Sequence, residues 1–114
     1  MFENLNRNNL YSQLCKLNKD GRLPFKVKFK DMSYGDEYFH EDTQTLEFKI
    51  GDDKYVVGRY HITEDSPDWA QAEAYNGDMF YKNDSHVSSD LIIEALHNYQ
   101  QIERDSTLNK LLND

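Results

Sequence analysis

Cysteine, proline and glycine are scarce in this sequence. Cys15 is the one cysteine among 114 residues, so no disulfide can form within the chain and no cysteine-based metal site can assemble. A reducing, intracellular setting is therefore favoured. There are two prolines and five glycines and no low-complexity linker, and the length of the chain suits one core. We expect a single domain that spans residues 1–114.

Long apolar runs are also absent. The longest, such as Leu91-Ile92-Ile93, are far too short to cross a bilayer. The N-terminal segment MFENLNRNN lacks the apolar core of a signal peptide. These features predict a protein without membrane contact that is located in the cytoplasm, or in the host cytoplasm if a phage encodes it.

The common motifs of catalysis are missing as well. The chain has no glycine-rich phosphate loop, no nucleophile elbow, no HExxH pair and no cysteine cluster. Serine and histidine both occur, but no spacing ties a serine to a base. We therefore expect a non-enzymatic protein that needs no cofactor and no metal ion.

The clearest structural signal is a hairpin over residues 46–62. Leu46, Phe48 and Ile50 alternate with polar residues, as one face of a half-buried strand does. Residues 51–54 supply the glycine and aspartates of a tight turn, and a second strand follows this turn. A hairpin alone is marginally stable in water, so further strands and helices must cover its apolar face.

The residues before this hairpin predict a helix and an edge strand. Residues 2–18 have leucines at helical spacing and predict one amphipathic helix that ends near Gly21. Residues 25–30 alternate apolar residues with lysine, so the apolar side chains, Phe29 included, are expected to face the core. The row of lysines is typical of an edge strand protected from aggregation, with internal ion pairing and a nucleic-acid contact as alternatives.

The remaining segments predict shorter elements. Residues 31–42 predict a loop or a short strand around a turn at Gly35. Residues 66–75 predict a short helix that begins at Ser66 and Pro67 and is closed by an Asn-Gly pair. Residues 79–81 are compatible with a further short strand.

The C-terminal part predicts the best-defined helix. Residues 91–102 have an apolar face and follow serines that suit an N-terminal cap, and a final short helix is indicated near Leu111. A run of strands flanked by helices favours an α+β domain. The predicted fold is an antiparallel sheet of three to five strands with flanking N-terminal and C-terminal helices.

Charge is unevenly distributed along the chain. Residues 1–30 hold seven basic and two acidic residues, a formal charge of +5, whereas residues 31–114 hold six basic and nineteen acidic residues, a formal charge of −13. The fold must therefore join a basic part to a strongly acidic remainder. Some of this charge will be neutralised internally, and the rest is available to a partner.

Two acidic stretches have the composition of a binding surface. Residues 31–42 and the segment between Tyr60 and Tyr81 contain no lysine or arginine. Carboxylates on a rigid scaffold can imitate the phosphates of DNA or RNA and occupy a basic channel, with aromatic residues as anchors. Ordinary solubilising charge is the alternative. The predicted protein-binding residues are Asp31, Tyr34, Asp36, Glu37, Tyr38, Glu41, Asp42, Glu64, Asp65, Asp68, Trp69 and Glu73.

Two histidines lie beside carboxylates at the ends of predicted strands. His40 precedes Glu41 and Asp42, and His61 precedes Glu64 and Asp65. If the strands are neighbours, the imidazoles and carboxylates could approach one another, which would suit a divalent metal ion or a histidine general base. Solvated loop residues are the alternative, because the spacing matches no specific metal motif.

The overall profile is that of a small, acidic, tyrosine-rich chain without motifs. It is similar to the profile of inhibitors encoded by phages and mobile elements, among them anti-CRISPR and anti-restriction proteins, and of immunity proteins that neutralise nuclease toxins. This likeness implies a non-enzymatic inhibitor that blocks the basic site of a nucleic-acid-processing protein without itself binding nucleic acid. The alternatives are a metal-dependent hydrolase at His40 and His61, and a structural or adaptor subunit that self-associates through its C-terminal helix.

Overall fold

The computed structural model describes residues 2–35, 39–65, 72–99, 102 and 111–112. In this part of the chain the strands form one antiparallel sheet, in which each strand pairs with the next along the chain. This confirms the predicted α+β class. The elements in order are α1 (Leu10–Lys19), β1 (Val27–Gly35), β2 (Phe39–Ile50), β3 (Asp53–Asp65), β4 (Ala72–Lys82), β5 (Ser85–His86) and α2 (Ser89–His97).

The predicted central hairpin is present as β2 and β3. Ile50 pairs with Asp53, so the turn between the strands consists of Gly51 and Asp52. Gly51 has φ +63°, a left-handed conformation that glycine adopts without steric cost. Both strands extend well beyond the predicted range, and their pairing continues to Phe39 opposite Glu64.

Strand β1 is an edge strand, as predicted, but its length and the exposure of Phe29 differ from the prediction. It pairs with β2 from Val27 to Gly35, so residues 31–35 and 39–42 form strands where a loop or a short strand was expected. Phe29, expected in the core, is 52% exposed. The helices pack against β3 and β4, so an apolar side chain on the outermost strand is left uncovered.

The prediction of a helix over residues 66–75 is wrong for residues 72–75, which belong to strand β4. Residues 66–71 lie outside the described residues, and from Ala72 the chain is a strand that pairs with β3 at eleven positions. Pairing along the whole length of a neighbouring strand outweighs the helical preference of the alanines in this segment. The short strand suggested at residues 79–81 is the C-terminal part of β4.

Helix α1 begins at Leu10 rather than at residue 2. Asn4 adopts φ +61°, and the Asn9 side chain donates to the Asn4 carbonyl at 2.8 Å and accepts from the Asn6 amide at 2.7 Å. Such local bonds offer the backbone an alternative to helical bonding. The helix ends as predicted, because Gly21 takes a left-handed conformation directly after it, with φ +69°.

One face of the sheet packs against both helices. Helix α2 begins as predicted after a serine cap, in which the Ser88 hydroxyl accepts from the Leu91 amide at 3.3 Å. Neither described helix has the length and apolar content needed to cross a membrane. The core residues are Leu10 and Leu14 of α1, Leu46, Phe48 and Ile50 of β2, Tyr55 and Val57 of β3, Phe80 of β4, and Ile92, Ile93, Ala95 and Leu96 of α2.

Candidate functional site

On the face of the sheet that the helices partly cover, rows of residues that run across strands β1 to β4 change from apolar to polar. Residues in one row are directly opposite one another and share a face. An apolar row consists of Phe29, Leu46, Val57 and Phe80, and the next two consist of Asp31, Gln44, Arg59 and Asp78, and of Ser33, Asp42, His61 and Asn76. We call the last two rows the polar rows. The core therefore ends half-way along the strands.

Asp42 contacts side chains of strands β1 and β2. The Ser33 hydroxyl donates a hydrogen bond to one carboxylate oxygen of Asp42 at 2.6 Å, and His40 Nε2 lies 3.2 Å from the other. His61, directly opposite Asp42 on β3, hydrogen bonds to Asn76 through Nδ1 and to Thr63 Oγ1 through Nε2. Two groups of polar contacts thus lie side by side, one around Asp42 on β1 and β2 and one around His61 on β3 and β4.

The surroundings of Asp42 change its protonation. The hydrogen bond from Ser33 holds the pKa of the Asp42 carboxyl below its ordinary value, and the neighbouring rings of His40 and His61 act in the same direction. Asp42 therefore remains a carboxylate to lower pH than an isolated aspartate.

Arg59 joins the polar rows to helix α1. Its Nε lies 3.3 Å from the Asp78 carboxylate on β4, and its guanidinium carbon lies 5.3 Å from the centroid of the Tyr11 ring. Burial, followed by a hydrogen bond with Cys15, raises the pKa of Tyr11 to about 12. The phenol thus stays neutral at physiological pH and offers the arginine an uncharged aromatic face.

An open depression of about 520 Å³ lies over this part of the sheet. It is lined by side chains of both polar rows and by parts of Tyr60 and Gly77. The Asp42 side chain in this lining is 42% exposed, and the nearby His40 side chain is 57% exposed. The charged groups of the depression are thus at least partly exposed to solvent.

The structure brings His40 and His61 to the same face, on either side of Asp42. The Ser33 hydroxyl donates to this carboxylate and not to an imidazole, the base that most often activates a nucleophilic serine. Both ring nitrogens of His61 are engaged by neighbouring side chains. Among the described residues, no three histidine, cysteine or acidic side chains are grouped so that they could hold a metal ion.

The predicted binding residues in the described strands are divided between the two faces of the sheet. Asp31 and Asp42 belong to the polar rows, whereas Tyr34, Glu41 and Glu64 lie on the opposite face, because successive side chains of a strand alternate. Tyr34, Glu41 and Glu64 therefore do not join the contacts around Asp42.

Asp65 and Glu73, two further predicted residues, lie on β3 and β4. Asp65 is opposite Ala72 and Glu73 is opposite Glu64 in the β3–β4 pairing. Five predicted residues, Asp36, Glu37, Tyr38, Asp68 and Trp69, lie outside the described residues.

The topology nevertheless brings the described parts of the acidic stretches to one end of the sheet. Strands β1 and β3 end there, and β2 and β4 begin there. We call residues 31–44 and 59–78 the acidic end. They contain ten acidic residues and one basic residue, Arg59, for a formal charge of −9. The rest of the chain has twelve basic and eleven acidic residues, a formal charge of +1.

Three acidic residues outside the acidic end lie in ion pairs with lysines. Lys54 lies 2.9 Å from Asp84 and 3.7 Å from Glu47, and Lys82 lies 3.7 Å from Asp53. The hydrogen bond to Asp84 is the main reason that the pKa of Lys54 is raised. These pairs provide internal neutralisation, which the sequence predicts, at the end of the sheet opposite the acidic end.

Five members of the polar rows were not among the predicted site residues: Ser33, Gln44, Arg59, Asn76 and Asp78. The alternation of side chains along a strand is the sequence feature that could have identified Arg59, because it places Arg59 and His61 on the same side of β3 as Val57. The partners on β1 and β4 could be found only from the pairing of strands that the sequence did not clearly predict.

No protein-family model, curated protein or solved structure matches this chain. The site is therefore interpreted from its own geometry and charge.

Proposed function

We propose that this protein is a non-enzymatic inhibitor that binds a basic site of a nucleic-acid-processing protein through its acidic end. The observation that carries the proposal is the segregation of charge, with −9 in residues 31–44 and 59–78 and +1 elsewhere. A surface of one sign attracts and orients a partner of the opposite sign. The proposed setting is the cytoplasm, or the host cytoplasm for a phage-encoded chain.

A nucleic-acid-binding site is the proposed target because it is built to receive an array of negative charges. Lysines and arginines in such sites contact phosphates that are regularly spaced along a strand. Carboxylates on paired strands are also regularly spaced, since alternate residues lie about 7 Å apart and neighbouring strands about 4.8 Å apart. The acidic end would then compete with the nucleic acid for its binding site.

The test compares two variants with identical net charge. In the first, Asp36, Glu37, Asp65 and Asp68 are replaced by lysine, which reverses four charges of the acidic end. In the second, four exposed acids elsewhere are replaced by lysine: Glu3, Asp20, Asp52 and Glu94. Both variants and the original protein are tagged, used for capture from a nuclease-treated lysate and eluted along a salt gradient.

The proposal predicts that the original protein and the second variant capture the same basic nucleic-acid enzyme, while the first variant does not. Nuclease treatment removes partners that are bridged only by nucleic acid. Equal loss of capture in both variants would attribute binding to net charge and contradict a localised site. Capture of a partner without a nucleic-acid site would contradict the proposed target.

A further inference from the structure

The edge strand β1 is unusually exposed for its length. All of its nine residues except Val27 are exposed, and it lies at the end of the strand order in the sheet. Phe29, Met32 and Tyr34 are 52%, 63% and 63% exposed. The other large apolar residues exposed in the described part of the chain are Leu91, Leu111 and Leu112, which lie outside the sheet. A long edge strand with apolar side chains is a template for pairing with another strand.

We propose that β1 pairs antiparallel with β1 of a second copy of this chain, with the two-fold axis at Met32. Residues opposite one another in an antiparallel pair share a face, so a symmetric pairing keeps each face of the two sheets continuous. This register places Met32 opposite Met32, Asp31 opposite Ser33, Lys30 opposite Tyr34, and Phe29 opposite Gly35.

Charge within β1 selects this register. Three symmetric registers align at least seven residues of Val27–Gly35, with centres at residues 30, 31 and 32. The first places Lys30 opposite Lys30, and the second places Asp31 opposite Asp31. Like charges directly opposite one another destabilise a strand pair. The register centred on Met32 places no like charges opposite each other and brings the Lys30 ammonium beside the Tyr34 ring.

The uneven distribution of charge within each copy favours a second copy as the occupant. Because the pairing is antiparallel, the Gly35 end of β1 in one copy lies beside Phe29 in the other. The acidic end of each copy, with its formal charge of −9, then adjoins the exposed Lys26 and Lys28 of its partner. Lys30 and Asp31 therefore disfavour the two other registers, whereas Lys26 and Lys28 attract a copy aligned at Met32.

The dimer and the proposed inhibition are separable. The dimer uses the outer edge of β1, and the two acidic ends in it point in opposite directions along the strands. If a monomeric variant still captures the basic partner, the proposed function holds without the dimer. Failure of the dimer proposal and failure of the proposed function can therefore be distinguished.

Sedimentation equilibrium of the full chain over a wide concentration range tests the dimer. We expect a monomer–dimer equilibrium that shifts toward monomer at high salt. Met32→Lys places two ammonium groups at the two-fold axis and is expected to weaken dimerisation roughly tenfold or more. Leu91→Lys is the matched control on α2, because it also replaces an exposed apolar residue by lysine, and it should leave the dimer unchanged.

Cross-linking tests the register without relying on a destabilised dimer. Met32→Cys places two thiols opposite one another and is expected to give a disulfide-linked dimer on mild oxidation, above the level seen with Cys15 alone. In Lys28→Cys the two thiols would lie about 27 Å apart along the strands, so no such dimer is expected. A monomer at all concentrations would overturn the proposal. So would dissociation by Leu91→Lys in place of Met32→Lys, or stronger cross-linking at residue 28.

Discussion

Asp42 is a residue of the acidic end whose ionisation is changed by its neighbours. It accepts a hydrogen bond from Ser33 and lies beside two imidazoles, and these contacts lower its pKa. A carboxyl group with a lowered pKa in the folded state stabilises the fold above its unfolded pKa, ordinarily about 3.9. This stabilisation is lost as the pH falls through the folded pKa.

Ser33→Ala should raise the pKa of Asp42 toward its ordinary value, because it removes the contact with the largest effect. The Asp42 carboxyl can be titrated by NMR in the original protein and in the variant. Thr45→Ala serves as the control for loss of a hydroxyl group, because Thr45 lies opposite Lys30 in the β1–β2 pair and not opposite Ser33. An unchanged pKa in Ser33→Ala would show that the hydrogen bond has little effect.

Gly77 has a steric role on the opposite face of the sheet. Tyr60, its partner across the β3–β4 pair, places its ring directly over the glycine, so a Cβ at residue 77 would overlap the ring. Gly77→Ala is expected to cost roughly 0.5–1.5 kcal/mol of unfolding free energy, because the half-buried Tyr60 ring must leave its position. The cost should be smaller in a Tyr60→Ala background, where the ring is absent.

Urea denaturation of the two single variants and the double variant measures this coupling. Additive changes in the unfolding free energy would contradict the packing of Tyr60 on Gly77.

At the scale of single elements, helix α2 depends on one side-chain cap. The Ser88 hydroxyl accepts the hydrogen bond of the Leu91 amide, one of the amides that lack a partner within the helix. Ser88→Ala should lower the unfolding free energy by about 0.5–2 kcal/mol. Ser85→Ala, which alters an exposed serine three residues earlier, should have little effect in the same denaturation experiment. Equal effects of the two variants would contradict a capping role.

Elements with strong local signals were predicted well from the sequence. The Gly51 turn with its flanking alternation and the capped α2 helix depend on contacts between residues near in sequence. Strands β1 and β4 were predicted poorly, since residues 31–35 are polar and the alanines of β4 favour a helix. Both strands are held by pairing with the central hairpin, which is a tertiary effect.

The candidate site was predicted only in part for the same reason. Asp31 and Asp42 were identified by charge, and the face that each occupies follows from strand pairing. The contributions of Ser33, Asn76 and Asp78 depend on which residues of β1 and β4 lie opposite β2 and β3. Composition could indicate an acidic surface, but only the register could assemble the polar rows.

At the scale of the whole molecule, the core and the net negative charge lie in different halves of the sheet. One half carries the core under α1 and α2, and its ion pairs between Lys54, Lys82 and nearby acids neutralise charge. The other half extends beyond that core and carries most of the net charge. This separation allows the acidic end to be altered without removing core contacts, which makes charge reversal an informative test.

The most direct test of the central claim is the salt dependence of the dissociation constant for the captured basic partner. The original protein should bind more weakly as salt rises, because counterions screen the acidic end and the basic site. The variant with lysine at Asp36, Glu37, Asp65 and Asp68 should bind much more weakly, whereas the control with lysine at Glu3, Asp20, Asp52 and Glu94 should retain both affinity and salt dependence. A dissociation constant that does not change with salt, or equal weakening in both variants, would contradict binding through the acidic end.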